Sequence, residues 1–204
     1  MLDTIDGLPG DRLALEPYLD EFDARLSSLR DTDIWKLERR QDFHQPESES
    51  WMAFRQGRGE ESLRLLEKNR ASLRGSFAEL ARSGCTLRRI RIVEKPFTTY
   101  LLWELHSLHL RAQCGEDVRV LSREPVEPFE RNGQVPELVT LGDTVAYRIL
   151  YDPQGVLQGA VRYTDPAITG RCRADIAALH EKGEDLKHYF PREVAGAELH
   201  RGRP

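Results

Sequence analysis

A chain of 204 residues is long enough for one well-packed domain with a short helical extension, and short for two. Charged residues make up 31% and apolar residues 39%, which is a globular profile with a heavily charged surface. The net charge of −4 argues against a dedicated nucleic-acid or membrane binder, and no apolar run approaches the roughly 18 residues that span a bilayer. Met1 to Gly10 carries Asp3 and Asp6 and lacks the basic start and apolar core of a signal peptide. Cys85, Cys114 and Cys172 are an odd number at wide spacing, unsuited to a disulfide framework or a metal cluster. A cytoplasmic address and no cofactor are therefore expected. Cys85 and Cys114 each adjoin a glycine at the expected end of a helix, where a small packing residue suits.

Residues 1–11 read as a flexible lead-in, with Gly7, Pro9 and Gly10 breaking any regular element. Residues 12–59 are expected as an N-terminal extension packed on the core. Its apolar stripe of Leu15, Leu19, Phe22, Leu26 and Leu29, at spacings of three and four, predicts an amphipathic helix with Pro17 in its first turn. Ile34 to Glu38 alternates apolar and charged residues and predicts a short strand. Phe43, Trp51, Met52 and Phe54 are expected to anchor this region by packing rather than to cage a ligand.

The main domain is expected over residues 60–190. A long helix is predicted from Glu60–Ser62 to Gly84, with Leu63, Leu66, Leu73, Phe77 and Leu80 turned inward. Arg70 interrupts that stripe, Gly75 suggests a close packing contact, and Gly84 is the left-handed cap. In the strand Leu87 to Val93, Ile90 and Ile92 share one face while Arg89 and Arg91 share the other. Thr98 or Thr99 caps the next helix, whose inner face is Phe97, Leu101, Leu105, Leu108 and Ala112. After Cys114-Gly115 the strand theme repeats, with Val118 and Val120 opposite Arg119 and Leu121. Gly84 and Gly115 begin two similar units about 31 residues apart. Two strands joined by a helix run parallel, so these two should be neighbours in one sheet with their arginines on a common face.

Pro125, Pro128, Gly133 and Pro136 mark a loop over residues 126–137. Val139–Leu141, Thr144–Tyr151 and Val156–Tyr163 are predicted strands, and Asp152-Pro153-Gln154-Gly155 is a type I turn that makes the last two a hairpin. Asp165-Pro166 starts a final helix with Ala167, Ile168, Cys172, Ile176 and Leu179 to one side. Residues 191–204 are expected as a disordered tail. The predicted fold class is α/β: a mixed sheet with a parallel βαβ core and a C-terminal antiparallel hairpin, flanked by helices.

Several stretches, taken together and in order, resemble a known family. They are Trp35 to Gly57, Arg88 to Val93 with Glu94 and Pro96, Tyr100 and Glu104, Gly115 to Leu121, and Leu141-Gly142-Asp143 before a hairpin. The chain from Leu15 to Phe190 is similar in this way to an actinobacterial domain of unknown function, DUF6879, and that family in turn resembles half of a phospholipase D-type fold. Phospholipase D-type enzymes use a His-x-Lys pair, the His as nucleophile and the Lys to stabilise phosphate charge. The expected strand, around Val135 to Asp143, has neither residue. The chain's His-x-Lys, His180-Glu181-Lys182, lies in the last helix, and Asp185 follows it too early for the motif. The resemblance thus implies a half-fold without the catalytic pair, and a helix-turn-helix transcriptional regulator as a possible partner.

His106 and His109, three apart on a helix, lack a third metal ligand at suitable spacing, and no Gly-rich phosphate loop or nucleophile elbow occurs. The site candidates are therefore Arg89, Arg91 and Arg119, with Arg123 beside them, gathering a small anionic ligand or an acidic partner. Tyr100 and Glu104, one helical turn apart, are expected to face them, and Asp143 joins the set. The competing reading, which is favoured, is that Glu94, Glu104 and Glu116 neutralise the arginines in ordinary ion pairs. The leading expectation for function is a non-catalytic regulatory or interaction module, with no membrane and no direct sequence-specific nucleic-acid reading. The alternatives are a phosphoryl- or acyl-transfer enzyme built on the arginines, and a small-anion sensor.

Overall fold

The computed structural model describes residues 1–131 and 133–196. In chain order its elements are β1 (Asp11–Ala14), α1 (Leu15–Ser28), β2 (Ile34–Glu38), α2 (Glu49–Arg55), α3 (Gly59–Lys68), α4 (Arg70–Arg82) and β3 (Leu87–Val93). There follow α5 (Thr99–Cys114), β4 (Asp117–Ser122), β5 (Leu138–Leu141), β6 (Val145–Tyr151), β7 (Leu157–Tyr163), α6 (Pro166–Lys182), β8 (Glu184–Asp185) and α7 (Leu186–Glu193). The strands make one mixed sheet in the order β1-β7-β6-β5-β2-β3-β4-β8. Strands β2, β3 and β4 run parallel and every other neighbouring pair is antiparallel. This is the expected α/β fold with a mixed sheet.

The parallel core forms for local reasons. Thr98, rather than Thr99, caps α5: its Oγ1 accepts the Leu101 N–H at 3.0 Å. Gly115 ends the helix at φ 126°, where an added Cβ would also sit 3.0 Å from Phe77 Cβ. Between these stops, α5 carries apolar residues on two sides. Leu101, Leu105, Leu108 and Ala112 pack with Val93, Val118 and Val120 of the sheet, while Tyr100, Trp103, Leu110 and Cys114 pack outward against Trp51, Phe54, Leu66 and Phe77. A helix that is apolar nearly all round belongs between layers. Helices α2, α3 and α4 therefore lie outside α5, and α6 covers the opposite sheet face, where Cys172, Ile176 and Leu179 meet Leu37, Ile90, Ile92 and Leu138. The three cysteines are buried and unpaired by disulfide, consistent with packing roles.

Several expectations change. Residues 1–11 are not a loose lead-in: Leu2 and Ile5 are buried in the α6-side core, and the Tyr163 hydroxyl donates to the Ile5 carbonyl at 3.1 Å. Leu2, Ile5 and Leu8 recur every third residue, a short helical period that the nearby glycines and proline obscured. Residues 12–59 are not an appendage either, because β2 lies in the middle of the sheet between β5 and β3. The seam of α1 is Tyr18, Phe22, Leu26 and Leu29, which leaves Leu19 42% exposed. The long helix from Glu60 breaks at Asn69 into α3 and α4, and Gly75 has no atom near a would-be Cβ. The 191–204 tail begins inside α7, which runs to Glu193 and buries Leu186, Tyr189 and Phe190 against α5 and β4. Residues 197–204 lie outside the described part.

Candidate functional site

Arg89 and Arg91 alternate with Ile90 and Ile92 along β3, so the isoleucines take the α6 face and the arginines are driven under α5. Both are buried: Arg91 is 0% and Arg89 6% exposed. A buried guanidinium requires a carboxylate and hydrogen-bond acceptors, and the sequence supplies both. Arg91 Nε meets Glu104 Oε2 of α5 at 2.8 Å, its Nη1 donates to the carbonyls of Glu38 and Ile92, and its Nη2 donates to the Arg40 carbonyl at 2.6 Å. Arg89 Nη1 meets Glu38 Oε1 at 2.6 Å and its Nε meets Glu116 Oε1 at 2.5 Å, while Arg111 binds the other Glu116 oxygen. Lys36 Nζ adds a second contact to Glu38 at 2.9 Å.

These pairings set the charges. Burial works against the charge on Arg89 and Arg91, but Glu116 with Glu38, and Glu104 with Glu38, outweigh it and hold both arginines above their ordinary range. Burial likewise opposes ionised Glu38 and Glu116, yet Arg89, with Lys36 and Arg111 respectively, holds both below the usual carboxylate range. Glu104 is pushed up by burial, with Arg91 pulling against it. Burial and then Glu104 raise the Tyr100 hydroxyl. Tyr100 donates to Glu104 Oε1 at 3.3 Å and accepts from Gln45 Nε2 at 2.6 Å.

The structure thus brings together Arg89, Arg91, Tyr100 and Glu104, but not Arg119 or Asp143. The β3–β4 register places Val118 opposite Arg89 and Val120 opposite Arg91, so Arg119 falls on the other sheet face beside Ile90. There it donates to the carbonyls of His180 and Glu181, both at 3.3 Å, near the end of α6. Parallel strands carry no rule that like residues of two repeated units align, and a one-residue offset reverses the face. Asp143 sits in the β5–β6 turn, exposed, paired with Arg173 of α6. That turn adjoins the start of β2, where Leu141 pairs with Ile34, whereas the arginines gather at the other end. Arg123 lies at the edge of Glu127 and Glu130. Glu94 serves Arg39 instead of the β3 arginines, alongside Glu130.

Sequence reasoning missed Glu38 and Glu137. Glu38 was visible as a charge closing an alternating strand; Glu137, in a proline-rich loop, carried no periodic signal. Glu137 Oε1 accepts the backbone N–H groups of Arg39 and Arg40 at 2.8 and 2.6 Å.

The remaining candidates resolve into packing. His106 and His109 lie against Phe190 of α7, His109 stacked at 4.1 Å, and burial brings His106 down to about 4. No group of three or more side chains suited to a metal ion occurs among the described residues. His180 packs edge-on to Trp35 and lies 3.3 Å from Asp117 Oδ1. A crevice of about 220 Å³ lies outside the cluster, between α3, α4 and α5, bordered by Leu66, Asn69, Ser72 and Arg111. No helix among the described residues is long and apolar enough to cross a membrane.

Comparison with curated proteins returns no match. A family model does match, over residues 20–191, from α1 through α7, and so takes in every strand of the arginine cluster. The chain belongs to the family described as Domain of unknown function (DUF6879).

Proposed function

We propose that this protein is a non-catalytic regulatory or interaction module that works with a helix-turn-helix transcriptional regulator in the cytoplasm. The observation that carries this reading is the state of the β3 arginines. Arg89 and Arg91 are buried and neutralised by Glu38, Glu104 and Glu116 of the same chain. Residues consumed in this way hold layers together, so neither the transferase nor the anion-sensor alternative draws support from them. The order α4-β3-α5-β4 followed by antiparallel β5, β6 and β7 supports descent from a phospholipase D-like half-domain. Its strand β5, where the nucleophilic pair would stand, reads Leu-Val-Thr-Leu. The regulator partner, and an actinobacterial source, rest on the family resemblance.

Co-expression with a helix-turn-helix regulator taken from its gene neighbourhood tests the proposal. A stable complex on gel filtration is expected, together with altered transcription of the regulator's targets when the gene is deleted. If the two proteins elute separately and transcription is unchanged, the reading fails.

A further inference from the structure

Glu38 and Glu137 lie opposite each other one step beyond Leu37 and Leu138, the last paired residues of β2 and β5. They are 6% and 5% exposed, and each leaves its Oε2 buried without a hydrogen-bond partner. Two unmet carboxylate oxygens on facing residues cannot both remain charged cheaply. Their other oxygens differ in kind. Glu38 Oε1 holds two cations, Arg89 and Lys36. Glu137 Oε1 holds two neutral backbone N–H groups and no cation.

We propose that Glu38 and Glu137 form a proton-binding site, in which Glu137 is a carboxylic acid that donates toward the ionised Glu38 and so latches the chain beyond β2 to the start of β5. The groups acting on Glu137 are Glu38 of β2, Arg91 of β3, Tyr151 of β6 and the backbone of Arg39 and Arg40, with Lys36 and Arg89 held on Glu38. Among the cations, Arg89 is spent on Glu38 and Glu116, and Arg91 on Glu104 and three carbonyls. Burial, then the charge of Glu38, raise Glu137 to about 7. The latch reaches the rest of the cluster through the chain itself. The Arg39 and Arg40 amides hang on Glu137, and the Arg40 carbonyl in turn receives Arg91. Because the folded-state value lies above that of a free carboxyl, the proton stabilises the fold below about pH 4.5 in full, and its contribution is lost as pH rises through about 7. This inference does not depend on any partner.

The test compares thermal unfolding of the whole chain and of Glu137→Gln from about pH 5 to about pH 8.5. Glutamine keeps the acceptor oxygen and supplies the donor that the protonated acid has. The variant should lose the part of the wild-type decline that falls between those values, and should match or exceed the wild-type melting temperature at the alkaline end. Infrared spectra at neutral pH should show a carboxylic-acid carbonyl band in the wild type that Glu137→Gln removes. A variant with the wild-type pH slope, a variant unfolded at every pH, or a wild type without that band overturns the proposal.

Discussion

On the α6 side of β2 and β3, Leu37, Ile90 and Ile92 meet Leu138, Cys172, Ile176 and Leu179. On the α5 side, at the alternate positions of the same strands, Glu38, Arg89 and Arg91 meet Glu104 and Glu116, with Glu137 alongside. Both faces are buried, but they hold for different reasons. The apolar face is non-directional, and its contribution scales with the area and volume removed from water. The polar face works only as a complete set, because each member is tolerable only while its partners are present. One face should therefore degrade gradually under substitution and the other abruptly.

Arg91 offers the largest contrast. Arg91→Met should remove about 3–5 kcal/mol in chemical denaturation, since Glu104 keeps a buried carboxylate without its cation and three carbonyls lose a donor. Without Arg91, Glu104 rises further above its unfolded value. The variant's deficit should therefore shrink at acid pH, where Glu104 takes up a proton, and widen as pH rises. Arg91→Met combined with Glu104→Leu should recover part of the loss. If the double variant is no more stable than the single, the ion pair is not what the single lost.

Ile92, fully buried one position along and facing the other way, sharpens the same comparison. Ile92→Ala should cost about 3 kcal/mol and Ile92→Val about 1 kcal/mol, with no added pH dependence across the carboxylate range. A pH-dependent loss in Ile92→Val would mean that the two faces are coupled through the strand and do not fail independently.

How far this contrast could be read from the chain depends on the range of the physics involved. The alternation of Leu87 to Val93 is local, and it alone separates the isoleucines from the arginines. Caps and stops are equally local, so Thr98, Gly84, Gly115 and the Asp152–Gly155 turn were legible. Register is not local. Whether Arg119 joins Arg89 depends on how β4 slides against β3, and the repeat of two similar units carried no information about a one-residue offset. Strand order was hidden for the same reason, so β2, early in the chain, was not foreseen between β3 and β5. Glu137 escaped because its role is to accept two backbone N–H groups of a distant segment, which leaves no trace in spacing. Leu186 to Glu193 was missed because Pro191 reads as a helix breaker, yet α7 accommodates it in its last turn.

The smallest expected effects come from the two residues that the register sends elsewhere. Arg119→Met should cost about 1 kcal/mol, since its contacts are two partly exposed hydrogen bonds to carbonyls at the end of α6 and a long ion pair with Asp117. Asp143→Ala removes an exposed ion pair with Arg173, for which about 0–1 kcal/mol is expected, fading as salt is added. The value of Asp143→Ala lies in its mildness. The protein should fold as the wild type does, so if the proposed regulator complex forms, its loss in Asp143→Ala on gel filtration would assign the β5–β6 turn to the interaction surface. A complex that survives Asp143→Ala unchanged would remove Asp143 and its ion pair with Arg173 from the proposed interaction surface.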